Sequence, residues 1–341
     1  MKHYKVYGIG NALVDTEIQV ADAELSAMGV EKGLMTLVDE ARQQELVAQL
    51  RDHLVTASRA SGGSAANTVI AVSRFGGAGF YSCKVANDDN GDFYLADLEA
   101  AGVDHNWTED RGEGITGRCL VLISPDAERS MNSFLGISET LADTELVPRA
   151  IAASDYLYME GYLVTSPTGR AAAIAAREHA RAHGVATALS FSDPGMVEFF
   201  RDGLQEMLGE YGVDLLFCNE AEALSWAGSE QVSEAVASLK HVARQFVITL
   251  GARGALLYDG EKLIEIDGTP TEAVDSNGAG DMFAGAFLYA ITHGEDFETA
   301  GRFASLAAAK VVSRFGPRLS ASEHDAVLRE FFGDAAAARG A

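Results

Sequence analysis

Apolar residues occupy nearly every position from 282 to 291, so this segment reads as a helix without a polar face. Such a helix belongs inside a large core rather than on its surface. The turn that precedes it, residues 275–281 (DSNGAGD), is rich in glycine and carries two carboxylates. Free backbone N–H groups at a helix start form an anion site that small residues leave accessible. Taken alone, the turn is more typical of an ordinary buried helix capped by Asp275 or Ser276.

In the N-terminal part of the chain, polar and apolar residues alternate one by one. Residues 13–20 place Asp15 and Glu17 opposite Val14 and Ile18, which predicts a half-exposed strand. Asp39 predicts the N-cap of a helix that runs to about residue 54. Further predictions here are strands at 4–9, 33–38 and 80–85, a turn at 87–92, and a buried helix opened by the glycine turn at 62–63 and ended by glycines 76–77.

A small separate sheet is predicted from a hairpin whose arms, 119–123 and 130–134, flank a turn containing Pro125. With the strands at 13–20 and 33–38 it would form a lid that excludes water from a cleft. We therefore assign residues 13–39 and 106–135 to a small β lid. Residues 1–12, 40–105 and 136–335 are assigned to the core.

From residue 155 onward, strands and helices alternate regularly. Alternation with short loops implies βαβ units, so the fold class is α/β, with a doubly wound, mainly parallel sheet covered by helices on both faces. The predicted strands lie at 155–160, 185–190, 213–218 and 246–250, an edge hairpin at 255–258 and 263–266, and helices at 167–183, 195–208, 230–243, 299–313 and 322–332.

Composition narrows the possible partners. The net charge of −24 argues against nucleic acid or an anionic membrane as a partner, because both need basic surface. Three cysteines, far apart in apolar runs, predict reduced core residues rather than disulfides or a zinc site. Neither a signal-peptide core nor an apolar run of the ~18 residues that a membrane span needs is visible. We expect a cytoplasmic protein with a small-molecule substrate.

Three polar sites follow predicted strands: the Gly62–Gly63 turn, the loop with Asn219 and Glu222, and the turn at 275–281. Ligands of doubly wound sheets bind outside the carboxyl ends of the strands. The dinucleotide fingerprint fails because Leu13 stands where glycine is required, and the P-loop, zinc-protease and hydrolase motifs are absent. A carboxylate such as Asp281 beside an anion site is what phosphoryl transfer to a hydroxyl requires.

At these residues the chain resembles the ribokinase (PfkB) family of carbohydrate and nucleoside kinases. Residues 275–281 match the family signature D-T-x-G-A-G-D, with Ser276 in place of threonine. Gly62 and Gly63 with Asn67 match the N-terminal glycine pair and asparagine, and 219–222 match N-x-x-E. The resemblance covers nearly the whole chain and looks closest to the adenosine kinase-like branch.

The resemblance implies a role for each matching residue. Asp281 would be the catalytic base, and the backbone amides of Gly278 and Gly280, with Ala279 between them, would form the anion hole. ATP and Mg²⁺ would be required, with Glu222 acting on the metal through water. The nucleotide and its phosphates would be contacted by Asn219, Thr249, Gly251, Asn277 and Arg129. The acceptor would be held by Asn11, Asp15, Gly62, Gly63, Asn67 and Tyr162.

Several alternatives stay open at this point. Arg129 fits a solvated arginine as well as a phosphate ligand, and Tyr162 fits a core tyrosine as well as a platform for a purine. The leading hypothesis is a nucleoside kinase of the adenosine type, and the alternative is a fructokinase- or ribokinase-type sugar kinase with the same apparatus. A non-catalytic scaffold and a dinucleotide oxidoreductase fit less well. A monovalent cation such as K⁺ beside the turn, and a homodimer through the lid sheet, are left open.

Overall fold

The computed structural model describes residues 2–51, 53, 58–107, 111–126 and 128–334. Its strands form two sheets that share no strand. In chain order they are β1 (Tyr4–Ile9), β2 (Leu13–Gln19), β3 (Met35–Leu37), β4 (Ser58–Gly62), β5 (Gly79–Ser82), β6 (Val103–His105), β7 (Gly117–Ile123), β8 (Arg129–Phe134), β9 (Ser154–Glu160), β10 (Ala186–Ser190), β11 (Val213–Asn219), β12 (Ala243–Thr249), β13 (Ala255–Tyr258) and β14 (Leu263–Ile266).

The large sheet has nine strands in the order β14-β13-β12-β11-β10-β9-β1-β5-β6. Strands from β12 to β6 in this order pair in parallel, and only the β12–β13–β14 edge is antiparallel. The chain winds outward in both directions from β1 and β9, which confirms the predicted doubly wound, mainly parallel sheet and its edge hairpin.

The α-helices lie on both faces of the large sheet, except the first two in the chain, which cover the small sheet. They are α1 (Asp22–Met28), α2 (Glu40–Gln49), α3 (Ser64–Arg74), α4 (Asp89–Ala100), α5 (Pro148–Ile151), α6 (Pro167–Ala182), α7 (Pro194–Phe199), α8 (Arg201–Leu208), α9 (Glu220–Ala227), α10 (Val232–Leu239), α11 (Ala279–Thr292), α12 (Phe297–Val312) and α13 (Ala321–Phe332). One face packs against α3, α4 and α11–α13, and the other against α5–α10.

Helix α11 is the predicted apolar helix, and it lies inside the core. Every residue from Met282 to Ala290 is buried. It packs closely on α3, because a Cβ added at Gly285 would lie 2.6 Å from both the Thr68 carbonyl oxygen and the Ala71 Cβ. This close approach brings the N-terminal turns of the two helices together.

The small sheet has the order β3-β8-β7-β2-β4. Its outer face is covered by α1 and α2, through a cluster that includes Ile18, Leu46 and Leu122. Helix α2 and strand β4 lie within the range 40–105 assigned from sequence to the core, yet both are part of the small-sheet layer. The predicted limit at residue 335 lies outside the described residues.

Strand β2 alternates as predicted, but it is not half-exposed. Asp15 and Glu17 are buried, at 6% and 7% exposure, like Val14 and Ile18 on the other side. The polar face of β2 is directed at the large sheet and its helices, so the carboxylates of this face lie at a cleft instead of facing solvent.

Other differences are local. Helices α1 and α4 are not predicted by the apolar pattern, and the predicted turn at 87–92 is wrong because Asp88 caps α4 by accepting the Gly91 N–H at 2.8 Å. The helix predicted for 195–208 is divided at Phe200 into α7 and α8. The side chain of Asp39 caps α2 as predicted, and the proposed helix end at residue 54 lies outside the described residues.

Among the residues that the structure describes, no helix combines the length and apolar character that a membrane crossing requires.

Candidate active site

Two pockets meet at the carboxyl ends of the central strands. The intersheet pocket lies between the small sheet and the ends of β1 and β9. The strand-end pocket lies over the ends of β10, β11 and β12. The side chains that line both are those of Ser64, Arg129, Met131, Ser192 and Asp281.

Asp281 stands at this boundary, in the first turn of α11, and is partly exposed. Its two carboxylate oxygens accept hydrogen bonds from the first turn of α3, from Ser64 Oγ at 2.6 Å and from Asn67 Nδ2 at 3.0 Å. Burial raises the pKa of Asp281 above its ordinary value, and these two hydrogen bonds oppose the rise. A carboxylate with a raised pKa, fixed in orientation, suits a general base.

The turn before α11 is held from behind by Asp275, which is fully buried. Its carboxylate accepts the N–H of Asn277 at 2.8 Å and the N–H of Gly316 at 3.0 Å. Gly278 is the N-cap of α11, and the helix begins at Ala279. The Ala279 N–H donates to the Ser276 carbonyl oxygen at 3.3 Å. Because the first N–H groups of a helix have no intrahelical acceptor, those of Gly280 and Asp281, two residues that line the strand-end pocket, form a candidate anion site.

Asn277 was predicted for the nucleotide site, but its side chain lines the intersheet pocket and not the strand-end pocket. Its Nδ2 donates to Glu17 Oε1 at 3.0 Å, which ties the turn to strand β2. Asn277 lies in the intersheet pocket because its partner Glu17 is on the buried polar face of β2, a face that the sequence pattern placed in solvent.

Arg129, at the start of β8, lines both pockets and is partly buried. Its Nη1 lies 3.4 Å from the Ser276 carbonyl oxygen and from Asn277 Oδ1. The side chain therefore reaches across from the small sheet to the turn, which a fully solvated arginine would not do.

The polar end of the intersheet pocket contains Asn11, Asp15 and Asn67. Burial, followed by the neighbouring charge of Glu17, raises the pKa of Asp15 to about 8. In the part of the chain that the structure describes, Asn67 Oδ1 is a buried acceptor without a hydrogen-bond partner. Unpaired buried acceptors are costly, so a ligand hydroxyl is the expected partner.

The predicted glycine pair lies behind these groups. Gly62 ends β4 opposite Leu13, and only Gly63 lines the pocket. Gly63 is the N-cap of α3 with φ +99°, and a Cβ there would overlap with the Asn11 carbonyl oxygen. Glycine alone fits this position.

One part of the wall of the intersheet pocket is apolar. Tyr162, in the 3₁₀ turn Gly161–Thr165, lines it and is partly buried, and its hydroxyl donates to the Ser192 carbonyl oxygen at 3.3 Å. The small sheet contributes most of the remaining wall: Leu13, Met35, Leu37, Cys119, Met131 and, just beyond β8, Leu135.

In the strand-end pocket, Asn219 and Glu222 form a capping box at the start of α9. Asn219 Oδ1 accepts the Glu222 N–H at 2.8 Å, while the Glu222 carboxylate accepts from Asn219 N at 3.0 Å and Nδ2 at 2.7 Å. Burial raises the pKa of Glu222 to about 7. Thr249 lines the same pocket, but Gly251 stands exposed in the next turn and does not.

These residues fit Mg²⁺ only in an indirect way. Both oxygens of Glu222 are already used by Asn219, and the described residues contain no group of three or more metal-ligating side chains. Protein-bound Mg²⁺ commonly keeps several waters and takes its remaining ligands from substrate phosphates. The donor set therefore fits a metal that arrives with a phosphate group and meets the carboxylate through water.

Three residues of the site are not predicted by the motifs. Ser64 follows the glycine pair directly, and Glu160 is a carboxylate that directly follows four apolar or aromatic residues at 156–159, which is a signal that could have identified it. Ser192 lines both pockets and has φ +73°, the one positive value outside glycine in the described part of the chain. A strained backbone of this kind leaves no trace in the sequence.

Comparison with known proteins agrees with this geometry. The model of the pfkB family carbohydrate kinases matches residues 35–324. The crystal structure of adenosine kinase from Sinorhizobium meliloti has a TM-score of 0.90 and 32% identity, covering 96% of this chain and 100% of that one. A probable sugar kinase protein from Rhizobium etli CFN 42 has a TM-score of 0.88 and 32% identity, covering 95% and 98%. Adenosine kinase of Schizophyllum commune is 27% identical over 349 residues, 93% of this chain and 97% of that protein.

The pockets, the carboxylate at their boundary and these matches lead to one assignment. The chain is a phosphotransferase with an alcohol group as acceptor, and it belongs to the pfkB family of carbohydrate kinases, near the adenosine kinase branch.

Proposed function

We propose that this protein is an ATP-dependent kinase that phosphorylates the primary hydroxyl of an adenosine-like nucleoside. The observation that carries the proposal is the position of Asp281. Its carboxylate faces both pockets, so an acceptor hydroxyl in one and a phosphate chain in the other would meet at this side chain.

The intersheet pocket is the proposed acceptor site because its lining offers two kinds of contact. The apolar side chains and the ring of Tyr162 suit a flat base, since an aromatic ring offers stacking area. Asp15, Asn11 and Asn67 suit ribose hydroxyls, and the unpaired Asn67 Oδ1 is an acceptor for one of them.

The strand-end pocket is the proposed ATP site. Thr249 and Asn219 line it, and Gly251 stands beside its rim. The γ-phosphoryl group would lie against the amides that follow Gly278, with Arg129 as the nearby cation in an acidic protein. When bound with ATP, Mg²⁺ would neutralise phosphate charge, and Glu222 with Asn219 would hold one of its waters.

In the proposed reaction, Asp281 accepts the proton of the acceptor hydroxyl as its oxygen attacks the γ-phosphorus in line. The new oxygen–phosphorus bond forms while the bond to the bridging β,γ-oxygen breaks, and ADP leaves with that electron pair. Ser64 and Asn67 keep the carboxylate oriented, and the amides at the start of α11, that of Gly280 among them, stabilise the charge on the transferred group.

The matched proteins support both the nucleoside and the sugar. The Sinorhizobium meliloti structure is an adenosine kinase, whereas the Rhizobium etli structure is described as a probable sugar kinase, at the same identity. The extended apolar wall favours the nucleoside, because a sugar alone would leave that wall uncovered.

A panel of nucleosides and sugars, assayed by ADP release, tests the proposal. We expect adenosine or a close purine analogue to give the highest kcat/KM. A higher value for fructose or ribose would instead assign the sugar kinase function. Repeating the assay with and without K⁺ tests the open question of a monovalent cation, and sedimentation tests the homodimer through the small sheet.

A further inference from the structure

Glu160 is a buried carboxylate to which the proposed reaction gives no role. It ends β9, is 0% exposed, and lies in the wall of the intersheet pocket. Its Oε1 accepts the backbone N–H of Asn11 at 2.6 Å, and its Oε2 accepts the backbone N–H of Ala65 at 2.8 Å. A buried charge is retained only where hydrogen bonds compensate for its desolvation, so these two bonds indicate a purpose.

The bond to Ala65 serves the start of α3. That helix has Gly63 as its N-cap, so no side chain at the cap accepts a hydrogen bond from the first turn. A serine or aspartate cannot stand there, because any Cβ would overlap with the Asn11 carbonyl oxygen. Glu160 supplies the missing acceptor from another strand, and its negative charge lies where the helix dipole favours an anion.

The first turn of α3 in turn holds Asp281. It contains Ser64 and Asn67, whose side chains donate to the two oxygens of Asp281. The second bond of Glu160 fixes the backbone of Asn11, the neighbour of Gly63 in the same wall of the pocket. A single carboxylate therefore holds both backbone segments that border the reacting carboxylate.

We propose that Glu160 is a positioning residue, which caps α3 from outside and thereby fixes Ser64 and Asn67 in the geometry that orients Asp281. This inference rests on the proposed function, because it takes Asp281 as the base.

Protonation of Glu160 is expected to loosen this arrangement. Burial raises the pKa of Glu160 to about 7, and the hydrogen bonds from Asn11 and Ala65 oppose the rise. In a protonated carboxyl one oxygen carries the proton and is a much weaker acceptor, so one of the two hydrogen bonds from the backbone N–H groups is weakened. The charge of Asp281 raises the pKa of Glu160. Burial raises the pKa values of the other titratable groups that interact with Glu160, which are Tyr81, Tyr94, Tyr158 and Cys83.

The test compares Glu160→Gln with a matched control, Glu145→Gln. Glu145 is also a buried carboxylate that accepts a backbone N–H, from Ala142 at 2.8 Å, but it does not line either pocket. For each variant, kcat and the KM values for ATP and nucleoside are measured from about pH 5.5 to about 9.

For Glu160→Gln we expect kcat to fall by about tenfold to a hundredfold at high pH, with KM for ATP within about twofold of the wild type. The part of the acid limb of kcat that lies near pH 7 in the wild type should disappear, because a glutamine side chain does not titrate. Combined with Ser64→Ala, the loss in kcat should be less than the product of the separate losses, because both changes act on one contact. Glu145→Gln should leave kcat and its pH profile unchanged.

A wild-type kcat and pH profile in Glu160→Gln would overturn the inference. If Asp281→Asn also kept turnover, the proposed base would be wrong; if only Asp281→Asn were inactive, the proposed function would stand and the positioning role alone would fail. Should Glu160→Gln not fold, the amide signals of Asn11 and Ala65 can be titrated in the wild-type protein. They should shift together near pH 7, and signals that stay constant through that range would overturn the inference equally.

Discussion

The intersheet pocket and the strand-end pocket share one catalytic boundary but are built in different ways. The largest part of the wall of the strand-end pocket comes from the ends of β10, β11 and β12 and the loops that follow them, with smaller contributions from the small-sheet hairpin and the start of α11. The wall of the intersheet pocket combines the ends of β1 and β9 with residues from four strands of the small sheet and the turn before α11. The strand-end pocket therefore depends mainly on loops of one sheet, and the intersheet pocket depends more on the packing of two sheets.

This difference matters for recognition. Loops at strand ends present backbone groups and the start of a capped helix. These groups suit ATP, a phosphate donor that many kinases share. A pocket enclosed by two sheets presents side chains from separate parts of the chain, which can be changed without affecting the phosphate chemistry. The choice of acceptor is therefore expected to reside in the intersheet pocket, and the predictions below separate the two pockets on that basis.

The largest effect is expected at the boundary itself. Asp281→Asn keeps the size of the side chain but removes the proton acceptor, so kcat should fall by about 10³-fold. Binding of ATP and nucleoside, measured by calorimetry, should stay within a few-fold of the wild type, because the two pockets are otherwise intact. A variant with near-normal turnover would show that another group takes the proton.

Glycine substitutions should distinguish the pockets by stability. Gly63→Ala places a Cβ against the Asn11 carbonyl oxygen at φ +99°, so we expect a loss of about 3 kcal/mol in the free energy of unfolding. Gly280→Ala is the control, because its added Cβ meets no atom within 4 Å and faces the strand-end side. It should keep wild-type stability in urea titrations while lowering kcat. Equal stability of the two variants would contradict the packing argument.

The same contrast explains what the sequence could predict. The strand-end residues Asn219 and Glu222 lie within four consecutive positions, so the family motif N-x-x-E was enough to make them candidates. The large sheet was predictable from β9 onward, because strands and helices alternate regularly there, whereas α4, which follows β5, has no clear apolar pattern.

The small sheet was predicted only in part, because its pairings are distant. β2 pairs in parallel with β7 across about a hundred residues, and β4 pairs with β2 although its sequence, SRASG, has little strand propensity. The buried polar face of β2 follows from those pairings, and without them Asp15 and Glu17 looked exposed. Ser192 likewise acquires its place at the boundary of the two pockets from contacts that no local pattern encodes.

The buried carboxylates of the two pockets should differ in how they make stability depend on pH. Asp15 has a pKa of about 8 in the folded protein against 3.8 ordinarily, so the folded state holds a proton that the unfolded state releases. Its contribution is complete below about pH 4 and is lost as pH rises through about 8. Asp15→Asn should therefore remove about 2–3 kcal/mol of the decline in unfolding free energy between about pH 5 and about pH 7.

Glu222→Gln provides the comparison for Asp15→Asn, because the pKa of Glu222 is about 7. The effect of Glu222→Gln on the slope of unfolding free energy against pH should end near pH 7, whereas the effect of Asp15→Asn should continue to about pH 8. Urea titrations at several pH values measure both slopes. If Asp15→Asn left the slope unchanged, the Asp15 carboxyl would be ionised at neutral pH and its pocket wetter than its burial indicates.

The smallest effect is expected at Tyr162, and it bears most directly on the acceptor. The ring lines the intersheet pocket only, so Tyr162→Ala should raise KM for a nucleoside about tenfold and leave KM for ATP unchanged. Tyr162→Phe keeps the ring and removes only the hydrogen bond to the Ser192 carbonyl oxygen, so it should lie close to the wild type. A sugar needs no aromatic platform. If the alanine variant raised KM for ATP instead, the assignment of acceptor and donor to the two pockets would have to be reversed.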